Sequence, residues 1–477
     1  MCDEAESFSS ICGGTITMEK STRRQFLSQV AGLAALAVAP AVGTAKKSGS
    51  TPRPNILLIV ADDLGYGDLG YYGCPDIRTP VIDGLAAQGV RFTNFYANGP
   101  ECTPTRTALM TGRYQQRVGG LECAIGTGNV GRYDDAIRLR ARNELGLPVE
   151  ETSIARMLKG VGYRTGLCGK WHLGYEPKFS ARRHGFDHFF GPLGGTVDYF
   201  HHCEPGGERM LYLDDNPVER EGYLTDMITE EAIAFIKGQK DEPFFLDVSY
   251  TAPHTPYQRP ADRKQEPVTA EEWNEGTRED YAALVERMDQ GIGQILKAVD
   301  EKRLAAKTVV IFASDNGATD KGRNLPFSGH KGGLFEGGIR VPCIVRWPGV
   351  LPGGAVSDHV SIMMDLTASI ARIGGVRPPK ARPFDGIDIL RELQAGRPAT
   401  ERTLFWRARR AERTWRAVRD GSLKYVSRED GDAVQESLFD LERDPGEERN
   451  LFTSRGADAK RLKRLLSAWE EEVRHKR

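Results

Sequence analysis

Apolar residues recur along this chain at two spacings, and each spacing predicts a type of element. The run NILLIV at 55–60 is almost wholly apolar, has the length of a strand and shows no polar alternation, as expected of a strand buried on both faces of a parallel sheet. It stops at Asp62-Asp63. The segment TPVIDGLAAQG at 79–89 then has the marks of a helix, with Thr79 as N-cap, Pro80 at the first helical position and Gly89 as stop. The pattern repeats: Thr152 to Lys159 reads as a helix and Tyr163 to Cys168 as a strand running into Gly169-Lys170-Trp171-His172. Phe244 to Tyr250 is another strand, followed by TAPHTP. From about Asp280 to Lys302, Leu284, Met288, Ile292, Ile295 and Val299 share one side of a long amphipathic helix, and the strand Thr308 to Ala313 follows it and ends in Ser314-Asp315-Asn316-Gly317. Alternating helices and apolar strands predict a parallel or mostly parallel sheet covered by helices, with ligands bound beyond the carboxyl ends of the strands, where the polar clusters fall. After about residue 375, RAVRDGSLKYV and ESLFDLERDPGEERNL read as strands joined by Asp-Gly and Asp-Pro turns. A terminal helix follows, with Leu462, Leu465, Leu466, Trp469 and Val473 at helical spacing, so a smaller α+β domain is expected to pack on the first.

Composition narrows the partners. The chain has 477 residues, 39% hydrophobic and 27% charged, an ordinary globular balance with enough length for two or three domains' worth of core. Its 65 basic and 66 acidic residues nearly cancel, so no net field draws it to nucleic acid or to an anionic membrane, and an anion site must be built locally. Of eight cysteines, six lie from Lys46 onward without a C-x-x-C, which excludes a zinc ribbon or a disulfide scaffold. Near the N-terminus, Arg23-Arg24 precede Phe26-Leu27 and an Ala/Gly-rich run from Val30 to Val42, too short and too weakly apolar for a finished membrane span. With small residues at Gly43-Thr44-Ala45, this stretch resembles a twin-arginine export signal. The expected organisation is a signal region at 1–45, a catalytic domain at 52–375 and a C-terminal α+β domain at 376–477, in a protein exported by the twin-arginine machinery to the periplasm or beyond. Met18 offers a more usual start for such a signal than Met1.

Several motifs carry chemistry. Gly65 to Gly70 matches G-x-G-x-x-G after a strand, but Asp62 and Asp63 at the same strand end would repel a pyrophosphate; a second match at 126–131 lacks the strand. Neither is read as a dinucleotide site. Asp62-Asp63 and Asp315-Asn316-Gly317 are each explicable as turns, yet both end buried strands, and together they supply three carboxylates and an amide, the ligand set of a hard cation such as calcium or magnesium. Lys170, His172, His254, His330 and Lys331 follow strand-like runs or lie in glycine-rich loops open to close approach. In ECTPTRTALMTGR at 101–113, Cys102 or Thr103 can cap a helix with Pro104 in its first turn and Arg106 about one turn on. A helix N-terminus there favours a thiolate or a bound oxyanion. A cysteine protease would need a base that no motif identifies, and no G-x-S-x-G or H-E-x-x-H occurs.

Taken in order, these residues resemble the type I sulfatases, in which the cysteine of C-x-P-S-R is oxidised to formylglycine. CTPTRTALMTGR carries the signature, with Thr105 where serine is commonest; ADDLGYGD at 61–68, GKWHLG at 169–174, TAPH at 251–254, SDNG at 314–317, HKGGLFEGGIRVP at 330–342 and LFDLERDPGEERNL at 438–451 match the rest. The resemblance implies an α/β, alkaline-phosphatase-like core with a mostly parallel central sheet flanked by helices, plus a smaller C-terminal α+β domain with an antiparallel sheet. It implies one divalent ion, usually calcium with magnesium as an alternative, on Asp62, Asp63, Asp315, Asn316 and modified Cys102. Arg106 would stabilise the formylglycine hydrate, Lys170 and Lys331 would grip the sulfate, and His172 and His254 would move protons. A sulfate monoester would be cleaved through the hydrate and a sulfo-enzyme intermediate, after maturation by a formylglycine-generating or equivalent enzyme. The loops GPLGGTVDYFHH at 191–202 and NLPFSGHKGG at 324–333 resemble those of arylsulfatases and N-acetylgalactosamine sulfatases, which makes Asp198, His201 and His202 candidates for the substrate pocket and an aryl sulfate or sulfated sugar the expected substrate. A phosphonate or phosphate monoester hydrolase is the alternative on the same core, and a silent sulfated-glycan-binding protein with an unmodified Cys102 the alternative of another class.

Overall fold

The computed structural model describes residues 53–126, 131, 133–263 and 266–474. The expected signal region, the start at Met18 and most of the second glycine-rich match lie outside the described residues. In chain order the strands are β1 (Asn55–Ala61), β2 (Val90–Phe92), β3 (Phe95–Tyr96), β4 (Arg164–Gly169), β5 (His188–Pro192), β6 (Leu211–Leu213), β7 (Asn216–Pro217), β8 (Phe244–Ser249), β9 (Thr308–Ser314), β10 (Cys343–Arg346), β11 (Ala355–Ser357), β12 (Ser361–Ile362), β13 (Thr403–Arg410), β14 (Arg413–Asp420), β15 (Leu423–Asp430) and β16 (Ala433–Asp440). Ten of them form the central sheet, in the order β11-β2-β10-β9-β1-β8-β4-β5-β6-β7. Its middle, β9 through β5, is parallel, while β10, β6 and β7 pair antiparallel.

The apolar run at 55–60 behaves as its composition requires. Ile56, Leu58 and Val60 enter one core, shared with the helices Cys102–Thr111, Ile154–Lys159 and Met363–Gly374. Leu57, Ile59 and Ala61 enter the opposite core, shared with the helices Pro80–Gln88, Leu224–Lys237 and Arg278–Glu301. Both faces of β1 are thus covered, and the strand reads as continuous rather than alternating for that reason. The long helix buries all five residues of its expected stripe and starts on a capping box in which Thr277 and Asp280 satisfy each other's amides. The helix at 154 starts two residues later than the pattern predicts, because Ser153 is the cap and accepts from the Arg156 amide.

Strands β13–β16 form a separate antiparallel meander. Leu404, Trp406, Ala417, Val426 and Phe439 share the face packed on Tyr96, Ala108, Leu334 and Ile339 of the core. The other face takes the helix Gly456–Glu472, whose Trp469 ring stacks on Phe405 at 5.3 Å. One expectation needs correcting. ESLFDLERDPGEERNL contributes one strand, not two: after β16 the Asp444 carboxylate accepts from the amides of Glu448 and Arg449, and the turn swings Glu447, at φ 57°, inward. Glu447 then accepts from the Glu336 amide at 2.6 Å and the Ser328 hydroxyl at 3.1 Å, while Lys424 of β15 bridges Glu336 and Glu447 at 2.8 and 2.9 Å.

All three side chains of that bridge are fully buried. Removing the cation leaves two carboxylates facing each other away from water. Lys424→Met should therefore cost about 3–5 kcal/mol, read from the urea midpoint. A loss under about 1 kcal/mol, the worth of an exposed pair, would show that the bridge is not what ties the meander to the core.

Candidate active site

The parallel register sets Val60 beside Ser249 and Ala61 beside Ser314, and β4 sets Gly169 beside Ser249, so the segments following β1, β9, β8 and β4 leave the sheet side by side. Asp62 and Asp63 come first. Asp63 takes a left-handed conformation, φ 63°, and its amide faces Asp315 Oδ1 at 3.3 Å. Asp62 accepts from Lys170 Nζ at 2.6 Å and from Cys102 Sγ at 3.2 Å. Asp63 accepts from Lys331 Nζ and from Asn316 Nδ2, both at 2.7 Å, and His254 Nε2 lies 3.5 Å away. Asp315 holds Arg106, whose Nε and Nη2 approach Oδ2 at 3.0 and 2.9 Å and whose Nη1 donates to the Lys170 carbonyl. The structure therefore brings together all ten metal and catalytic residues singled out from sequence: Asp62, Asp63, Cys102, Arg106, Lys170, His172, His254, Asp315, Asn316 and Lys331.

The helix of Cys102 starts one residue earlier than the caps proposed for it. Glu101 is the N-cap and Cys102 the first helical residue. Thr103 and Thr105 instead hold neighbouring segments: Thr103 Oγ1 donates to the His172 carbonyl and accepts from the Ile125 amide, and Thr105 Oγ1 bonds both the amide and the carbonyl of Gly99. Threonine at that position keeps the hydroxyl that the loop uses. The expected thiolate is also corrected. Burial pushes the Cys102 thiol well above its ordinary range, and Asp315 and Asp62 push it further, so the unmodified side chain stays neutral.

The other groups divide by their neighbours. Burial works to raise the Asp63 carboxyl, but Lys331, His254 and Lys170 outweigh it and hold it well below the usual range. Asp315 is pushed up to about 6 by burial and by the charge of Asp62 beside it. Burial and Lys331 bring His254 down to about 3, and its tautomer follows from its partners: Nε2 accepts from Lys331 Nζ at 3.0 Å, leaving Nδ1–H to donate to the Thr255 carbonyl at 2.9 Å. His172 is likewise held neutral, by burial and by Lys170; its Nε2 lies 2.5 Å from the Ile125 carbonyl, and its Nδ1 has no partner among the described residues. Lys331 is kept charged, since Asp63 and its neighbours more than offset the burial that opposes it.

The residues present fit a divalent cation. Ligand atoms of Asp62, Asp63, Cys102 and His254 all lie within 4.8 Å of one another. Asn316 Oδ1 is a buried acceptor with no partner among the described residues. Three crowded carboxylates, an orphaned amide oxygen and little sulfur are the donors a hard cation takes.

The three pocket candidates lie in the loop that follows β5. Asp198 is buried and spends its carboxylate on its own surroundings, accepting from the amides of Phe200, His201 and Val268 and from Gln258. His202 is buried with Nε2 against the Gly222 carbonyl, and His201 lies half-buried beside Asp198 at 3.3 Å. GPLGGTVDYFHH reaches the centre through Gly195, where a Cβ would meet the His172 ring at 2.6 Å, Thr196, whose hydroxyl donates to the Thr255 carbonyl, and Tyr199, whose hydroxyl bonds the carbonyls of Thr251 and His254. The Gly194-Gly195 pair was the available signal. Sequence reasoning also passed over Asp68, which accepts from Tyr281 at 2.6 Å and Arg278 at 2.7 Å and ties the loop after β1 to the long helix.

Residues 54–376 match the sulfatase family. The chain is 36% identical over 382 residues to N-acetylgalactosamine-6-sulfatase of Sus scrofa, covering 75% of this chain and 69% of that protein. It is 34% identical over 439 residues to steryl-sulfatase of Mus musculus, covering 74% and 67%. A solved structure of Ps i-CgsB in complex with k-i-k-neocarrahexaose superposes with TM-score 0.75 at 30% identity, covering 87% of this chain and 92% of that one, and shares the alkaline-phosphatase-like arrangement of sheet and helices. With the matched span including every residue gathered at the strand ends, this chain belongs to the sulfatase family and is a sulfuric ester hydrolase.

Proposed function

We propose that the chain hydrolyses sulfate monoesters of sulfated sugars, using formylglycine made from Cys102 and one divalent cation, calcium in the first instance, held by Asp62, Asp63, Asp315 and Asn316. The observation that carries the reading is the convergence of Cys102 with a buried and a half-buried lysine, a buried arginine and two neutral imidazoles at the ends of four strands. Its support on the substrate side is the likeness to N-acetylgalactosamine-6-sulfatase and to a structure holding k-i-k-neocarrahexaose.

When present, formylglycine supplies a geminal diol as nucleophile and a divalent cation neutralises the oxygens of the sulfate group. The remaining work falls to this chain's residues. Lys170 and Lys331 are two ammonium groups that can grip sulfate oxygens, in a buried site where charge counts for more than in water. Arg106 fixes the Asp315 carboxylate from two donors and keeps it aimed at the centre. His254 and Lys331 form one proton-donating unit, in which Lys331 carries the proton and His254 Nε2 accepts it, suited to the departing alcohol. His172, neutral with Nδ1 unpartnered, is suited to withdraw a proton from the nucleophile's second hydroxyl.

Cys102 is 1% exposed, so its oxidation must precede folding, and the paired arginines at 23–24 would then send the folded protein across the membrane. No helix among the described residues is long and apolar enough to cross a membrane.

Three measurements test this. In protein from its native host, the peptide containing Cys102 should have the mass of an aldehyde in place of the thiol; an intact thiol in active protein would sink the nucleophile. His254→Ala and His172→Ala should each lower kcat on an aryl sulfate by about 10²–10⁴ without changing the melting temperature much, and a phosphate ester turned over faster than its sulfate counterpart would favour the phosphatase alternative instead. Exhaustive chelation should lower both turnover and the melting temperature, with calcium restoring both; an unchanged melting temperature would mean that the carboxylate cluster holds no ion.

A further inference from the structure

A cleft of about 770 Å³ opens beside the proposed centre, between the loop Ser328–Gly333 and the end of the meander's inner face. Glu101, next to Cys102 in sequence, and Lys331 both line it, so whatever occupies the cleft lies beside the scissile position. The register of the meander explains its opposite wall. Ala408, Trp415 and Arg428 sit side by side across β13, β14 and β15, and Arg410, Arg413 and Asp430 form the next row outward. Nearer the middle of the strands this face is covered by the core; at these two rows it emerges.

The wall is unevenly charged. Arg410 takes both oxygens of Glu101, at 2.8 and 2.6 Å. Arg413 and Arg428 crowd onto a single oxygen of Asp430, at 2.9 and 2.8 Å. Three guanidinium groups thus face two carboxylates, and one positive charge is left over. Two donors in the same wall also lack a partner among the described residues: Arg428 Nε, and the indole Nε1 of Trp415, a residue only 9% exposed. A buried donor left unpaired costs free energy comparable to a lost hydrogen bond, so this wall is built for an acceptor that the protein does not itself provide. Ala408, opposite Trp415, leaves the room for it. Phe335 and Trp415, their rings 5.7 Å apart, add an apolar patch to the same lining, on which the face of a sugar ring can rest.

We propose that this cleft is a second anion subsite: it takes a sulfate or carboxylate group on a sugar neighbouring the one cleaved, with Arg428 and Trp415 Nε1 as its principal donors, and so selects multiply charged glycan chains over singly sulfated small molecules. This rests on the reading of the Cys102 centre as a sulfate-ester site. The spare guanidinium charge and the unpaired donors meet an oxyanion's geometry and charge together, as arginine does for planar and tetrahedral oxyanions generally.

The test compares the mature, cation-loaded protein with its Arg428→Gln and Trp415→Phe variants on two substrates. A small aryl sulfate reaches only the Cys102 centre; a chondroitin 6-sulfate tetrasaccharide carries further sulfates and carboxylates into the cleft. The expected result is a loss of kcat/KM on the tetrasaccharide about tenfold greater than any loss on the aryl sulfate, expressed mainly in KM, since an ionic hydrogen bond is worth about that much. Equal losses on both substrates would overturn the subsite. Should the unsubstituted protein turn over neither compound, the reading of the Cys102 centre as a site for sugar sulfates fails, and the cleft is judged separately by calorimetric binding of the tetrasaccharide to Cys102→Ala. Binding that weakens about tenfold when Arg428→Gln is added upholds the subsite, whereas unchanged binding, or none to begin with, overturns it.

Discussion

Three carboxylates and three cations are buried together at the ends of four strands, and the need to keep them matched constrains everything around them. Asp62, Asp63 and Asp315 face Lys170, Lys331 and Arg106; five of the six are buried, and Lys331, its side chain 18% exposed, reaches the surface. Unmatched, any one of these charges would be too costly to bury; matched, they still pay a desolvation penalty that only close geometry offsets. The sheet supplies that geometry, because the cations come from segments far apart in sequence and meet the aspartates only if β1 lies between β8 and β9 in the observed register. The balance is also what makes the centre responsive. A divalent cation drawn to the carboxylates would take over the partners of both lysines, and two ammonium groups without partners would be a receptor for an anion.

Close backbone approach is the second constraint. A Cβ on Gly169 would lie 1.8 Å from the Ser249 carbonyl oxygen, and one on Gly317 would lie 1.8 Å from that of Gly337. These glycines allow Lys170 and Asn316 to reach the centre, and no phosphate-binding loop is involved. The meander adds a third layer of support. Glu447 reaches back from the turn after β16 to hold Ser328 and the Glu336 amide, and these flank the loop that carries Lys331. The meander therefore helps to fix the position of Lys331, which accounts for a C-terminal motif rich in charge and turn residues so far from that loop in sequence.

Much of this was legible before any coordinates. Buried parallel strands announce themselves by unbroken apolar runs, and the strands at 55, 163, 244 and 308 fall within a residue or so of their expected limits because their ends coincide with glycine, proline or aspartate. The centre was legible for a related reason: polar clusters directly after such strands have one place to go. Asp198 and His202 show where that logic stops. A polar residue in a loop looks the same in sequence whatever it bonds, and the partners that the structure gives Asp198, Gln258 and the Val268 amide, are sixty and seventy residues away. The charge bridge of Lys424 was hidden likewise, since neither of its two glutamates is near it in any periodic pattern.

The thiol of Cys102 joins these threads. In the folded chain it is buried, neutral and bonded to Asp62, with Asp315 close enough to oppose its ionisation. A thiol held this way is a poor nucleophile, and a modifying enzyme could not reach it without unfolding the helix that it begins. The same carboxylates that suppress a thiolate would instead polarise a neutral hydroxyl, since they accept its proton's hydrogen bond without having to stabilise a second negative charge. The surroundings of residue 102 thus suit a hydroxyl-bearing group and penalise the sulfur that the gene encodes. Under the proposed mechanism the side chain would therefore be changed while the chain is still open, since the folded site leaves Cys102 only 1% exposed.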